Sequence, residues 1–258
     1  MCQLLGAVGQ TQNNLTNVLR IFAQGSQIHK HGWGLAHLMP EETRIIKAPE
    51  QADQSPLFAE ILKRGFWAQN AFVHLRYATV GDIDAHNTHP FSCRDNTGRE
   101  WVLMHQGTLF DFNPASGYFY TQSGNTDSER ILLYLVDQIN TSATEHGGFL
   151  NAAQRFDVLD TEIRKMAPGN KLNLAIYDAE QIYLHSNYKN SLYLCNRMGT
   201  LIFCTYPLLD TETWHKLPLN SLYALKDGKI VKSGTPHNST YIDTEEDIKR
   251  LYEIYAGL

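Results

Sequence analysis

The sequence contains few cysteines, four among 258 residues, which is too few for the disulfide framework of a small secreted domain. It also has no apolar run near the roughly 18–20 residues that a membrane span requires. The stretch from residue 2 to residue 27 has Arg20 as its one basic residue, so it lacks the charged start of a secretory leader. These absences predict a reduced, cytoplasmic protein without a membrane-spanning segment.

Positive charge is also scarce. The 22 Lys and Arg residues are outnumbered by 27 Asp and Glu residues, which gives a formal charge of −5, and no basic cluster stands out. Nucleic-acid-binding proteins usually carry a basic stripe, so we expect no nucleic-acid partner. Apolar residues make up 43% of the chain, which is enough to form a core and excludes outright disorder.

No linker, repeat or low-complexity stretch interrupts the chain, so we expect a single domain over residues 1–258. Apolar spacing predicts helices over residues 13–22 and 149–166, from Ser55–Pro56 to Gly65, and after a capping box at Thr126. Strands are predicted at 32–38, 71–77 and 101–105, with a polar loop over 81–98.

The second half of the chain is rich in short β-prone segments. They lie at residues 172–177, 181–185, 192–194, 201–205 and 222–225, and Asp227–Gly228 is a typical two-residue hairpin turn. A final helix is predicted from Thr244, with Ile248, Leu251 and Ile254 on its apolar face. This mixed order favours stacked sheets flanked by helices over a parallel βαβ series.

Cys2 is the first candidate for chemistry. If Met1 is removed, Cys2 carries both a thiol and a free α-amine, with ordinary pKa values of about 8.5 and about 7.7–8. One residue would then supply a nucleophile and a base of suitable strength. The competing interpretation is that this cysteine has no role. Cys195 and Cys204, in apolar strand segments, are expected to be structural, and nothing near Cys93 in the sequence supplies a base.

The segment His74-Leu75-Arg76-Tyr77-Ala78-Thr79-Val80-Gly81 ends a predicted strand with one arginine. An arginine fork binds both oxygens of a carboxylate, although a surface arginine at a strand end is the simpler interpretation of this segment by itself. Next along the chain, Asn87-Thr88-His89-Pro90-Phe91 forms an H-x-x-H pair with His86. A metal site there would need two more ligands, and a structural loop is the simpler interpretation.

Two further candidates follow. His105-Gln106-Gly107 comes after a predicted strand, and a glycine N–H together with a side-chain amide can form an oxyanion hole. Asp127 falls in the first turn of a predicted helix. Acidic residues are common there because of the helix dipole, but a carboxylate at this position could also bind an ammonium group.

Taken in order, Met-Cys, HLRYATVG, NTHPF, HQG and TDSE resemble the class II glutamine amidotransferases, which are N-terminal nucleophile (Ntn) hydrolases. The sequence is most similar to the stand-alone, YafJ-like members. The resemblance implies an α+β fold: a four-layer αββα sandwich of two antiparallel sheets with flanking helices. It implies no cofactor, no metal ion and no fused synthase domain.

The resemblance also implies roles for individual residues. Cys2 would attack the side-chain amide of glutamine and form a γ-glutamyl thioester, with Gln106 and Gly107 at the oxyanion. Arg76 would bind the α-carboxylate and Asp127 the α-ammonium group. Tyr77, Thr79 and His89 lie in the shared motifs and are assigned to substrate binding. Released ammonia would go to solvent or to an ammonia-accepting partner protein.

Two positions depart from the family pattern. The family has H-N-G where this chain has Gln106, whose amide sits on a stem one methylene longer, and synthase-fused relatives often have His at the position of Val80. Loss of one oxyanion donor costs about 10²–10³ in rate. Three hypotheses therefore stand: a glutamine amidohydrolase, a hydrolase of another γ-glutamyl amide, and a catalytically weak glutamine-binding subunit or sensor.

Overall fold

The computed structural model describes residues 2–78, 81–247 and 249. Its strands are β1 (Gln3–Asn14), β2 (Trp33–Leu38), β3 (Arg44–Ala48), β4 (Trp67–Leu75), β5 (Phe91–Arg94), β6 (Glu100–Thr108), β7 (Lys171–Tyr177), β8 (Ile182–Ser186), β9 (Tyr193–Arg197), β10 (Thr200–Cys204), β11 (His215–Lys216), β12 (Leu222–Lys226) and β13 (Lys229–Ser233). Its α-helices are α1 (Thr16–Ala23), α2 (Pro56–Arg64), α3 (Asp127–Glu145) and α4 (Ala152–Met166). No helix in the described part of the chain is both long and apolar enough to cross a bilayer.

The strands form two sheets in which every neighbouring pair is antiparallel. One sheet has seven strands in the order β11-β9-β10-β1-β4-β2-β3, and the other has six in the order β13-β12-β8-β7-β6-β5. Between them lies an apolar layer to which both sheets contribute alternate residues, among them Leu4, Val8 and Phe72 from the first sheet and Met104, Ala175 and Leu184 from the second. The two sheets therefore pack face to face.

Helices cover the outer face of each sheet. Helices α3 and α4 bury one apolar face against the six-stranded sheet, and α1 and α2 do the same against the seven-stranded sheet. Phe58 of α2, for example, meets the ring of Trp33 edge-on at 4.9 Å. Burial of such a side chain stabilises the fold by about 1.5–3 kcal/mol. The four-layer αββα arrangement implied by the resemblance is confirmed.

Polar side chains begin three of these helices. At α2 the Ser55 hydroxyl accepts the Phe58 N–H at 3.3 Å, as predicted, and Asn151 forms a complete capping box with Gln154 at the start of α4. At α3 the Thr126 hydroxyl accepts the Glu129 N–H at 3.3 Å. The predicted capping box is nevertheless incomplete, because the Glu129 carboxylate accepts the N–H groups of residues 123 and 124 instead.

Several predicted boundaries are wrong. The first helix begins at Thr16 rather than at residue 13, because β1, which the sequence did not indicate, continues to Asn14 and pairs there with β4. The predicted loop over 81–98 contains β5, whose four residues pair with β6 and are too few for a clear alternating pattern. Residues 105–107 lie inside β6 rather than after it, because its pairing with β7 continues to Thr108.

The hairpin turn at Asp227–Gly228 is confirmed. Both residues have positive φ, 52° and 74°, as the turn between β12 and β13 requires. Cys195 and Cys204 are buried in β9 and β10. The predicted helix after Thr244 depends on Ile248, Leu251 and Ile254, which lie outside the described residues.

Candidate active site

Strand pairing brings the start and the middle of the sequence together at one end of the sandwich. Gln3 pairs with Leu75 across β1 and β4, so Cys2 lies beside the residues that directly follow β4, Arg76 and Tyr77. Gln106, on β6 of the facing sheet, reaches the same place and donates from Nε2 to the Cys2 carbonyl oxygen at 2.7 Å. The site thus lies between the two sheets at their common end.

The Cys2 thiol is half-buried and is held by the backbone of Tyr77. Its sulfur accepts the Tyr77 N–H at 3.3 Å and donates to the Tyr77 carbonyl oxygen at 3.3 Å. Burial raises the pKa of the thiol, while the Tyr77 N–H and the positive charge of Arg76 lower it and the charge of Asp127 raises it. Arg76 and Asp127 therefore shift the pKa of the Cys2 thiol in opposite directions.

Tyr77 itself faces the segment before β2. Its ring lies 5.0 Å from the His31 ring, centroid to centroid, and His31 Nδ1 accepts the Ala78 N–H at 3.0 Å. Because Nδ1 is an acceptor, neutral His31 carries its proton on Nε2. These contacts fix the backbone on which the Cys2 thiol rests.

Arg76 is 2% exposed, which sets aside the interpretation of a surface arginine. Its guanidinium donates to the carbonyl oxygens of Asp82 at 2.7 Å and Gly81 at 3.0 Å. Burial lowers its pKa, and Cys2 and Asp82 oppose that shift. A guanidinium stays charged at any physiological pH, so a positive charge is held below the loop that begins at Gly81.

Asp127 is the first residue of α3 and is 6% exposed. Its Oδ2 accepts the Leu109 N–H at 2.8 Å, two residues beyond Gly107 on the same chain segment. Its Oδ1 accepts the Ser128 hydroxyl at 3.3 Å. A carboxylate is thereby fixed beside the end of β6 that carries the predicted oxyanion residues.

Gly107 lies where β6 is closest to its neighbour. A Cβ at this position would overlap the carbonyl oxygen of Lys171 on β7 and crowd the His105 ring. Any other residue would therefore push the strands apart here. This close approach requires glycine for packing, independently of any oxyanion role.

His89 lies in a buried group of imidazoles rather than against the Cys2 thiol. Its ring is 4.2 Å from that of His74 and 4.6 Å from that of Phe91, so His89 packs against buried rings. Burial lowers the pKa of both histidines well below the ordinary value. His86, by contrast, has an exposed ring bonded to Asp84.

The described residues contain no group of three or more His, Cys, Asp and Glu side chains arranged to hold a metal ion. The H-x-x-H pair is split, because His86 points to solvent while His89 is buried. Thr79, assigned above to substrate binding, and Val80 lie outside the described residues.

The fold brings to the site two residues, Asn173 and Tyr188, that were not predicted from the sequence. Asn173 Nδ2 and the Tyr188 hydroxyl both donate to Gln106 Oε1, at 2.7 Å and 2.8 Å. Asn173 is the one uncharged polar residue in the apolar run of β7, which was a usable signal. Tyr188 sits in a polar loop, where nothing in the local pattern marks it.

A half-buried thiol at residue 2, between two antiparallel sheets with outer helices, is the architecture of an Ntn-type hydrolase. The family model described as "Glutamine amidotransferases class-II" matches residues 1–199. The chain therefore belongs to the class II glutamine amidotransferases.

Individual proteins of similar sequence or fold include named glutamine amidotransferases. The chain is 23% identical to "Putative glutamine amidotransferase YafJ" of Escherichia coli K12, over 84% of this chain and 94% of that protein. Among solved structures, a predicted glutamine amidotransferase from Pseudomonas aeruginosa PA01 has a TM-score of 0.65 at 20% identity, covering 90% of this chain and all of that one. Glutamine phosphoribosylpyrophosphate amidotransferase from B. subtilis has a TM-score of 0.65 at 14% identity, with 94% of this chain matching 50% of that chain. Both structures are similar to this chain in fold.

Proposed function

We propose that this protein hydrolyses the side-chain amide of L-glutamine, with Cys2 as the nucleophile. One observation carries the proposal. The Cys2 thiol is hydrogen-bonded to the Tyr77 backbone, and the Gln106 side-chain amide is hydrogen-bonded to the Cys2 carbonyl oxygen. The charges of Arg76 and Asp127 act on the same sulfur. This arrangement combines a nucleophile, an amide donor and two opposite charges suited to an amino-acid head group.

In the proposed reaction the sulfur attacks the amide carbon of glutamine. The α-amine of Cys2, free once Met1 is removed, accepts the thiol proton and passes it to the departing nitrogen. The C–N bond breaks, ammonia leaves and a γ-glutamyl thioester remains on Cys2. Water then attacks the thioester, which releases glutamate and regenerates the thiol.

Gln106 and Gly107 would stabilise the oxyanion formed in both steps. The Gln106 amide nitrogen carries two hydrogens, and its bond to the Cys2 carbonyl uses one of them. The second is then available to the oxyanion, and the longer stem of glutamine is consistent with this donor role. Arg76 would bind the α-carboxylate, Asp127 the α-ammonium group, and Tyr77, Thr79 and His89 would complete the pocket.

The primary test compares glutamate release by the wild type with that of Cys2→Ala and Cys93→Ala. Cys93 is also free and partly buried, but it lies on β5. We expect Cys2→Ala to lose at least about 10³-fold in kcat, as loss of a nucleophile does elsewhere, and Cys93→Ala to match the wild type. Equal activity of Cys2→Ala and the wild type would refute the mechanism.

Intact mass spectrometry tests nucleophile and processing together. After exposure to a glutamine-mimicking diazo-ketone, we expect a protein lacking Met1 with one label on Cys2. A panel of γ-glutamyl amides then tests the substrate. Faster turnover of another member than of glutamine would make that compound the substrate, and binding of glutamine without turnover would indicate a sensor.

A further inference from the structure

The side-chain amide of Gln106 is held at both of its polar atoms. Its Oε1 accepts two hydrogen bonds, from Asn173 Nδ2 at 2.7 Å and from the Tyr188 hydroxyl at 2.8 Å. These fill both lone pairs of the oxygen. Its Nε2 donates to the Cys2 carbonyl at 2.7 Å. The amide therefore bridges the nucleophile residue and two residues behind it.

Backbone carbonyls at both ends determine which way this amide points. The Ser191 carbonyl accepts from Asn173 Nδ2 at 3.0 Å, so the NH₂ group of Asn173 must face Ser191 and Gln106. At the other end the Cys2 carbonyl can only accept. Rotating either amide by 180° would place oxygen against oxygen. The hydrogen-bonding partners at both ends therefore determine the orientation of the Gln106 amide.

Tyr188 is held in turn by a buried cation. The Lys171 ammonium lies 4.7 Å from the centre of the Tyr188 ring, within the range of a cation–π interaction. It is also 2.7 Å from a carboxylate oxygen of Asp243. Tyr188 is 8% exposed, so its hydroxyl has little freedom to leave Gln106.

We propose that Asn173 and Tyr188 are positioning residues that aim the Gln106 amide at the reacting centre beside Cys2. The side-chain hydrogen bonds that Asn173 and Tyr188 form within the described residues go to Gln106 and to residue 191, and none of them joins the Cys2 sulfur. Their role is to hold the oxygen of the amide away from the site, so that the second N–H stays directed at the oxyanion. The inference rests on the proposed function, because it assigns how that oxyanion donor is fixed.

The fold does not require polar residues at Gln106 and Asn173, because their neighbours on the same strands are apolar. Residues on the same inward face of β6 and β7, such as Met104, Ala175 and Tyr177, belong to the apolar layer between the sheets. Within the described part of the chain, the Tyr177 hydroxyl has no hydrogen-bond partner. On this face Val102, Met104 and Ala175 are apolar, and Gln106 and Asn173, which pair across β6 and β7, are the polar residues nearest Cys2.

Tyr177 provides a matched control, because it is a buried tyrosine on β7, the strand that carries Asn173. In Tyr188→Phe we expect kcat for glutamine to fall about tenfold, the usual scale for losing one partner of a functional group, with KM within about twofold of the wild type. Tyr177→Phe should leave both parameters unchanged. The thermal stability of both variants is measured in parallel.

Asn173→Asp gives a sharper test, because it preserves shape and replaces a donor by an acceptor. Gln106 would then turn its NH₂ group toward residue 173 and its oxygen toward Cys2. We expect kcat to fall about 10²–10³-fold, as for loss of an oxyanion donor. A protonated carboxyl can donate to Gln106 again, so the ratio of variant to wild-type kcat should rise as the pH falls from 8 to 5.

The outcomes separate this inference from the proposed function. If the wild type shows no Cys2-dependent glutamate release, the proposed function fails. If the wild type is active but Tyr188→Phe and Asn173→Asp keep kcat within twofold, the positioning role is wrong. It is equally wrong if the kcat ratio of Asn173→Asp does not change with pH, or if activity falls only in proportion to the folded fraction.

Discussion

The two ends of strand β7 carry buried polar networks of opposite kinds. At one end Asn173 joins Gln106 and Tyr188 in a network of neutral groups beside Cys2. At the other end Asp178, the residue after the strand, forms an ion pair with Arg155 at 2.7 Å, with side-chain exposures of 0% and 2%. Asn173 therefore bonds uncharged groups, although Lys171 at the same end of β7 is charged, whereas Asp178 beyond the other end bonds a charged partner directly.

The two networks differ in how many of their donors and acceptors have hydrogen-bond partners. The Arg155 guanidinium also donates to Glu180 at 2.6 Å and to the Leu150 carbonyl at 2.8 Å. Asp178 accepts from the Tyr183 hydroxyl at 2.6 Å and from the backbone beyond it. The charged network is complete in itself. In the neutral network, the bond of Gln106 Nε2 within the described residues is the one to the Cys2 carbonyl, so we infer that the charged network stabilises the fold and the neutral one serves the reaction.

Removing a charge from the far end should have the largest effect on stability. Arg155→Met leaves the Asp178 carboxylate buried without its partner, and we expect a loss of about 3–5 kcal/mol in the free energy of unfolding. Arg164→Met is the control, because its ion pair with Asp160 is partly exposed and should contribute less than about 1 kcal/mol. Urea unfolding measures both.

The kcat of folded Arg155→Met should equal that of the wild type. A variant that lost kcat while keeping its stability would reverse the assignment of the two networks. Equal destabilisation by Arg155→Met and Arg164→Met would show that the buried pair has no special weight.

A fall in pH should lower the free energy of unfolding first through the buried histidines. Burial lowers the pKa of His74, His89 and His105, and burial beside His237 lowers that of His185 to about 3. The unfolded chain, with ordinary values near 6.5, therefore binds more protons below that pH, and stability falls as the pH falls. His185 alone accounts for about 2 kcal/mol between pH 7.5 and pH 5.

The charged end should respond only at lower pH. Burial alone would raise the pKa of Glu180, but its bonds to Arg155 and Lys226 lower it overall, so its contribution persists until the pH falls below the ordinary carboxyl range. Urea unfolding at intervals from pH 7.5 to pH 5 tests this order. His185→Gln should flatten the pH dependence and exposed His146→Gln should not. A stability that is constant over this range would contradict the prediction.

Removal of a single charge at the site should change substrate binding rather than stability. Asp127→Asn keeps an oxygen for the Leu109 N–H but loses the charge that would pair with the substrate ammonium group. Bonds to charged groups are worth about 1.5–3 kcal/mol, so KM for glutamine should rise about 10–100-fold. Asp137→Asn, at a Tyr118-bonded carboxylate of the same helix, should leave KM unchanged.

An analogue sharpens the same experiment. 4-Carbamoylbutanoate has the amide and a carboxylate but no α-ammonium group, so its KM should differ little between Asp127→Asn and the wild type. An equal rise in KM for glutamine and for the analogue would show that Asp127 acts on the fold of the pocket rather than on the ammonium group.

Much of the fold could be predicted from the sequence, because its signals are local. Ser55–Pro56, Thr126 and Asp227–Gly228 mark helix starts and a hairpin turn through bonds that span a few residues. β5 was not predicted, because it is stabilised by pairing with β6 and its four residues are too few to show an alternating pattern. The capping box at Thr126 was predicted to be complete. It is incomplete because the Glu129 carboxylate accepts the N–H groups of residues 123 and 124 in the preceding loop.

The sequence by itself determined the family, the two-sheet fold and the residues Cys2, Arg76, Gln106, Gly107 and Asp127 as candidates, because these lie in short motifs whose order along the chain is distinctive. Only the tertiary structure decided that Arg76 is buried and that His89 faces His74. It also decided that the Gln106 amide is held by Asn173 and Tyr188. The reason is physical: these contacts join residues up to 82 positions apart, and the pairing of strands that are distant in sequence, such as Gln106 with Asn173 across β6 and β7, brings them together.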